Sequence, residues 1–139
     1  MPTLILLIAL HWAPVAPPLD RIAVVVHNGT PAEQMSQDDI LRIYLLEQPY
    51  WSDGTAVQLH DLRGTQPFKT AFYDALGRQQ RNMMRLHMRL VLAGEATAPT
   101  KVANTEAMLR SVAETPGAIG YLPADAVDES VTVVAYLPR

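Results

Sequence analysis

Ile22 to Val26 is an unbroken apolar run in which four of five residues are β-branched, and it ends at His27-Asn28-Gly29. A strand with one wet face alternates apolar and polar residues, so an unbroken run reads as a strand covered on both faces. Covering both faces requires layers above and below a sheet. That single segment has the pattern seen in the strands of α/β sheets.

The rest of the chain supplies the layers. Met35-Ser36-Gln37-Asp38-Asp39-Ile40 carries the signature of a helix start. Ser36 is placed to cap, Asp39 follows three residues later, and Met35 can pack on Ile40 across the cap. Ile40, Ile43 and Tyr44 share one face, with Glu47 next along it and Leu41 and Leu45 beside it, and Pro49 is the expected stop. Asp53-Gly54 marks a turn, and Val57 to Leu59 resumes as a strand. Phe68, Ala71, Phe72, Ala75 and Leu76 recur at helical spacing, with Gly77 as the stop. A second helix is expected from about Gln79 to Ala93, and Lys101 to Ala103 as a short strand. Asn104 or Thr105 can cap a helix holding Met108, Leu109 and Val112, which Pro116-Gly117 ends. Ala118 to Leu122 and Val131 to Tyr136 complete the strands. Strands and helices alternating in this way predict an α/β domain with a mostly parallel sheet flanked by helices.

At 139 residues the chain fits one domain. Leu4 to Leu10 is an apolar run of signal-peptide length, followed by Ala13-Pro14-Val15-Ala16 and then Pro17-Pro18. Residues 1–18 therefore read as a signal peptide and linker, and 19–139 as the domain. Pro17 after Ala16, and the lack of a cation before the apolar run, leave open a retained weak anchor or a buried first element. The net charge of −3 gives no global argument for a nucleic-acid partner. There is no cysteine, which excludes disulfides, a thiolate metal site and a cysteine nucleophile.

Several segments occur in a telling order: Val25-Val26-His27-Asn28, Met35 to Tyr44, Trp51-Ser52-Asp53-Gly54, Phe68 to Leu76, and Thr115-Pro116-Gly117-Ala118-Ile119-Gly120-Tyr121. In this order and spacing the chain resembles the phosphate-binding component of bacterial phosphate ABC transporters, a type 2 periplasmic binding protein. In particular it looks like the small members that keep only part of that fold. The resemblance implies a single lobe of the type 2 periplasmic-binding-protein fold, corresponding to the second lobe and its hinge strands. It also implies an exported, periplasmic, non-catalytic solute-binding module, with phosphate or a related small oxyanion as ligand and a membrane transporter or sensor as partner. The alternative is a protein–protein interaction module that has lost the ligand. In Pro116 to Tyr121, Gly117 suits a positive φ, Gly120 a close backbone approach, and Tyr121 a buried ring with its hydroxyl at an edge.

In the family, a Ser-Gly-Ser-Gly-Thr-like loop and an arginine hold the anion at a helix N-terminus. This chain has Asp61-Leu62-Arg63-Gly64-Thr65-Gln66-Pro67 at that place. The resemblance assigns the anion loop to Arg63, Gly64, Thr65 and Gln66, which keep a cation, a flexible backbone point and a hydroxyl. Pro67 removes one donor and Asp61 adds negative charge nearby, so a plain surface turn capped by Thr65 or Gln66 remains the competing reading. Arg78, Arg81, Arg85 and Arg89 form one helical stripe, four of the eleven cations, and read as a solvated face. Met83, Met84, Met88 and Met108 read as core. His11, His27, His60 and His87 lack metal-ligand spacing, and no nucleophile elbow or Walker-type loop occurs. No cofactor, metal or catalytic residue is expected.

Overall fold

The computed structural model describes residues 20–139, so the signal-peptide expectation for residues 1–18 lies outside the described residues. The elements are β1 (Ile22–His27), α1 (Gln37–Tyr44), β2 (Gln58–Leu62), α2 (Pro67–Ala75), α3 (Gln80–Leu92), β3 (Thr100–Val102), α4 (Thr105–Glu114), β4 (Ala118–Pro123) and β5 (Val131–Leu137). They build one five-stranded sheet in the order β3-β2-β4-β1-β5. β2 is parallel to β3 and to β4, while β1 is antiparallel to both of its neighbours, β4 and β5. Four strands therefore share one direction and only β1 is reversed. The sheet is mostly parallel and sandwiched by helices, as the alternation of elements requires.

Ile22 to Val26 are all fully buried at the heart of the sheet, as expected for a doubly covered strand. One face is closed by α4, whose Met108 and Val112 sit over Gly120. The other is closed by α1 and α2 through an aromatic cluster. Phe72 stacks on Tyr121 with centroids 3.8 Å apart and planes 3° from parallel, and Tyr44 meets Phe72 edge-on at 4.8 Å. Such pairs add roughly 0.5–1.5 kcal/mol beyond simple burial.

α1 begins as its sequence dictates. Ser36 Oγ accepts from Asp39 N–H and Asp39 Oδ2 accepts from Ser36 N–H, both at 3.1 Å, a complete capping box. It ends earlier than Pro49 would impose. Leu46 takes a left-handed φ of 61°, and Glu47 N–H donates back to Arg42 O at 3.0 Å.

Two glycine expectations need different treatment. Gly117 has φ 80°, and a Cβ there would collide with the Ala56 carbonyl oxygen. Its own carbonyl accepts from Trp51 Nε1–H and from Gln58 N–H, each at 2.9 Å, pinning the turn to the start of β2. Gly120 does permit a close approach, but to the side chains of Met108 and Val112, not to another backbone.

Candidate functional site

β2, β3 and β4 run the same way, and the loop Arg63 to Gln66 leaves the carboxyl end of β2 to enter α2. In open α/β sheets ligands gather at this end of the strands. Arg63 N–H donates to Val102 O at 2.9 Å, which extends the β2–β3 pairing by one step and fixes where the loop begins. Gly64 then turns the chain with φ 69°. Arg63, Gly64 and Thr65 are exposed together. Gln66 behaves differently: its side-chain amide donates to Arg63 O at 2.8 Å and to Ala103 O at 3.0 Å. That clasp ties the β2–α2 loop to the segment entering α4.

Gln66 occupies the N-cap position of α2 but makes no side-chain cap bond, and Pro67 fills the first turn, where no acidic residue stands. The first-turn N–H groups after Pro67 are therefore uncapped by side chains, and the positive end of the helix dipole is not offset locally. The Arg139 guanidinium lies 5.4 Å from the Phe68 ring centroid, bringing a second arginine to this helix end.

Behind the loop lies a cluster that sequence reasoning missed. Asp61 is completely buried. Its Oδ1 accepts from the Tyr121 hydroxyl at 2.6 Å and from Leu62 N–H at 3.0 Å. Its Oδ2 accepts from the Tyr73 hydroxyl at 2.8 Å and faces Lys101 Nζ at 3.3 Å and Lys69 Nζ at 3.6 Å. The chain has nine arginines and only two lysines, and both lysines converge on this one oxygen. Burial, with the nearby Asp61 charge, pushes the Tyr44, Tyr73 and Tyr121 hydroxyls well above their usual range, so they remain donors. Burial lowers the Lys69 ammonium, Asp61 opposes that shift, and Lys101 adds to it.

Two expectations are thereby corrected, and the apolar face expected on α2 is borne out and extended. The Tyr121 hydroxyl is buried on Asp61 and does not reach an edge. Asp61 does not project its charge at the anion loop; the strand turns it inward, where two ammonium groups and two hydroxyls meet it. The buried stripe of α2 is Lys69, Phe72, Tyr73 and Leu76, while Phe68, Ala71 and Ala75 are only half-buried. A legible signal existed: Lys69 stands three and four residues before Phe72 and Tyr73, on their face.

The remaining candidates divide cleanly. His60 bonds Gln58 O at 2.8 Å and Ser111 Oγ at 2.8 Å, and His87 bonds Tyr44 O at 2.6 Å; burial lowers both imidazoles. His27 bonds Val112 O at 3.1 Å. These three histidines are taken up in packing. Met83 and Met108 are core, but Met84 is only half-buried and Met88 is 65% exposed.

No protein-family model and no curated protein sequence matches the chain. Solved structures do. An ABC-type phosphate transport receptor from Vibrio cholerae superposes with TM-score 0.66 at 16% identity, over 83% of this chain and 45% of that one. A structure with bound phosphate from Clostridium perfringens, described as a phosphate ABC transporter substrate-binding protein, gives TM-score 0.68 at 20% identity, covering 83% and 44%. PstS from Borrelia burgdorferi gives 0.62 at 9% identity, covering 84% and 47%. The chain has the fold of part of a phosphate ABC transporter substrate-binding protein and spans less than half the length of each of these neighbours.

Proposed function

We infer that the chain is an exported, non-catalytic solute-binding-like module that holds phosphate or a related small oxyanion at Arg63, Gly64 and Thr65, in connection with transport or sensing. Gln66 shapes that loop from within. The observation that carries this reading is the exposed Arg63-Gly64-Thr65 turn feeding a helix N-terminus without a side-chain cap, at the carboxyl end of the parallel strands. Hydroxyl, guanidinium and backbone N–H donors there match the chemistry of a tetrahedral oxyanion. The phosphate-bound fold neighbour supports the same reading.

Thermal denaturation of the purified chain in a titration with phosphate and sulfate tests it. A ligand that binds only the folded state stabilises it by about 2.7 kcal/mol at a hundredfold excess over Kd. A rise in Tm that disappears in Arg63→Ala supports the loop; no rise with any oxyanion overturns it.

A second reading has its own observation. Tyr50 and Leu92 are large apolar side chains left 62% and 81% exposed, surface that suits a protein partner such as a transporter or sensor. Crosslinked recovery of such a partner, with no oxyanion response, favours this alternative.

A further inference from the structure

The space between α2, α3 and β3 is a cavity of about 640 Å³, whose floor includes Lys69 and Lys101 and whose rim includes Arg81 and Arg85. No acidic side chain lines it. Asp61, buried beneath, can offset one of the four cations. Neither arginine has an ion-pair partner among the described residues. The lysines are themselves only partly satisfied. Beyond the 3.3 and 3.6 Å approaches to Asp61, the partner of each is the Met84 sulfur, a weak acceptor, at 3.3 Å from Lys69 and 3.6 Å from Lys101. An ammonium has three donors; Lys69 is buried, where a cation without a full partner is costly, while Lys101 stands partly exposed and free to meet a ligand. The surplus cannot be read as one structural ion pair.

The cavity is also partly apolar and its wall is fixed. Met84 and Met88 line it, and Met88 is 65% exposed, a soft surface open to a ligand. Gln80 holds the start of α3 against the loop, donating to Gly64 O at 2.9 Å and accepting from Thr70 Oγ1 at 2.8 Å. The space is open to solvent on one side, and its volume falls in the roughly 300–1,000 Å³ range of sites that take organic molecules. It is far more room than a bare oxyanion needs.

We propose that this cavity binds an organophosphate, its phosphate on Lys69, Lys101, Arg81 and Arg85 and its organic part on Met84 and Met88. Guanidinium forks suit phosphate oxygens, and a dianion matches the net surplus of cations better than a monoanion does. The inference rests on the reading of the chain as an anion binder, and it moves the main cationic grip from Arg63 to the cavity. The phosphate can belong to a soluble phosphomonoester or to a lipid headgroup.

Equilibrium binding on the full chain separates these cases, using inorganic phosphate, phenyl phosphate, and phosphatidylcholine vesicles with and without phosphatidic acid. Phenyl phosphate is expected to bind about tenfold more tightly than inorganic phosphate, and the exposed pair Arg81→Ala/Arg85→Ala to lose about tenfold or more. Binding to the phosphatidic acid vesicles that the same double variant abolishes supports the site with a lipid source. If Arg63→Ala removes all binding and the double variant removes none, the cavity is overturned while the loop reading stands. Equal affinity for the two phosphates overturns the organic component. If no probe binds, both readings fall.

Discussion

On the α4 side of the sheet, Gly120 lets Met108 and Val112 descend onto the strand, and closure there is a matter of shape. On the α1–α2 side, Tyr44, Phe72, Tyr73 and Tyr121 pack as tightly, yet the middle of that layer holds a carboxylate and two ammonium groups. An apolar layer tolerates adjustment, since neighbouring side chains can shift. A buried charge cluster does not, because removing one member strands the others. The charged layer is also the one that adjoins the loop and the cavity, so rigidity and the proposed ligand sites fall on the same face of the sheet.

Four measurements bear on that contrast. The largest effect is expected for Asp61→Ala, which leaves Lys69 buried without its carboxylate and should cost about 3–5 kcal/mol in urea unfolding. A loss no greater than that of the other variants breaks the distinction between the faces. Tyr121→Phe keeps the stacked ring and removes one donor to Asp61, with an expected loss of about 1.5–3 kcal/mol. Gly120→Ala puts a Cβ 2.6 Å from Met108 Sδ and 3.0 Å from Val112 Cγ2, an overpacking that costs about 1–3 kcal/mol. Adding Met108→Ala should return part of that loss, since a clash of shapes is relieved by trimming.

The smallest effect is with pH. His60 lies on the α4 side and His87 on the helical layer opposite, and burial holds both below their usual 6.5. Below that pH the unfolded chain takes up protons that the fold resists. Their contribution is therefore whole above about 6.5 and declines as the pH falls beneath it. The urea midpoint should drop between pH 7 and pH 5, and less so in His87→Gln; an unchanged dependence in that variant removes His87 from the account. The depressed surface carboxylates of Asp39, Asp53 and Asp128 act lower, beneath their ordinary 3.8.

The elements were readable because they depend on neighbours in sequence. The Ser36–Asp39 box, the Asn104 cap and the Gly117 turn are each set within a few residues, and all three appear. The sheet direction follows from alternation of strand and helix. Asp61 is harder to place from sequence, because its nearness to the loop does not say which face of β2 it joins or what packs over that face. Its partners come from α2, β3 and β4, brought together only by the fold. The spacing of the arginine stripe predicts a solvated face; Arg81 and Arg85 are exposed, but they also form the rim of a cavity that exists only once α3 stands beside β3. Local rules found the frame, while the charged interior depended on distances across it.

The reversed strand has a consequence for how the polypeptide is made. β1 is synthesised before every other element of the sheet, yet Val24 sits opposite Tyr121 on one side and Ala135 on the other. A ribosome must release nearly the whole domain before that sticky pentapeptide finds either neighbour. Pairings this remote slow folding and prolong the exposure of adhesive backbone. Newly made copies should therefore depend on a holding chaperone, and fragments ending before β4 should precipitate instead of folding.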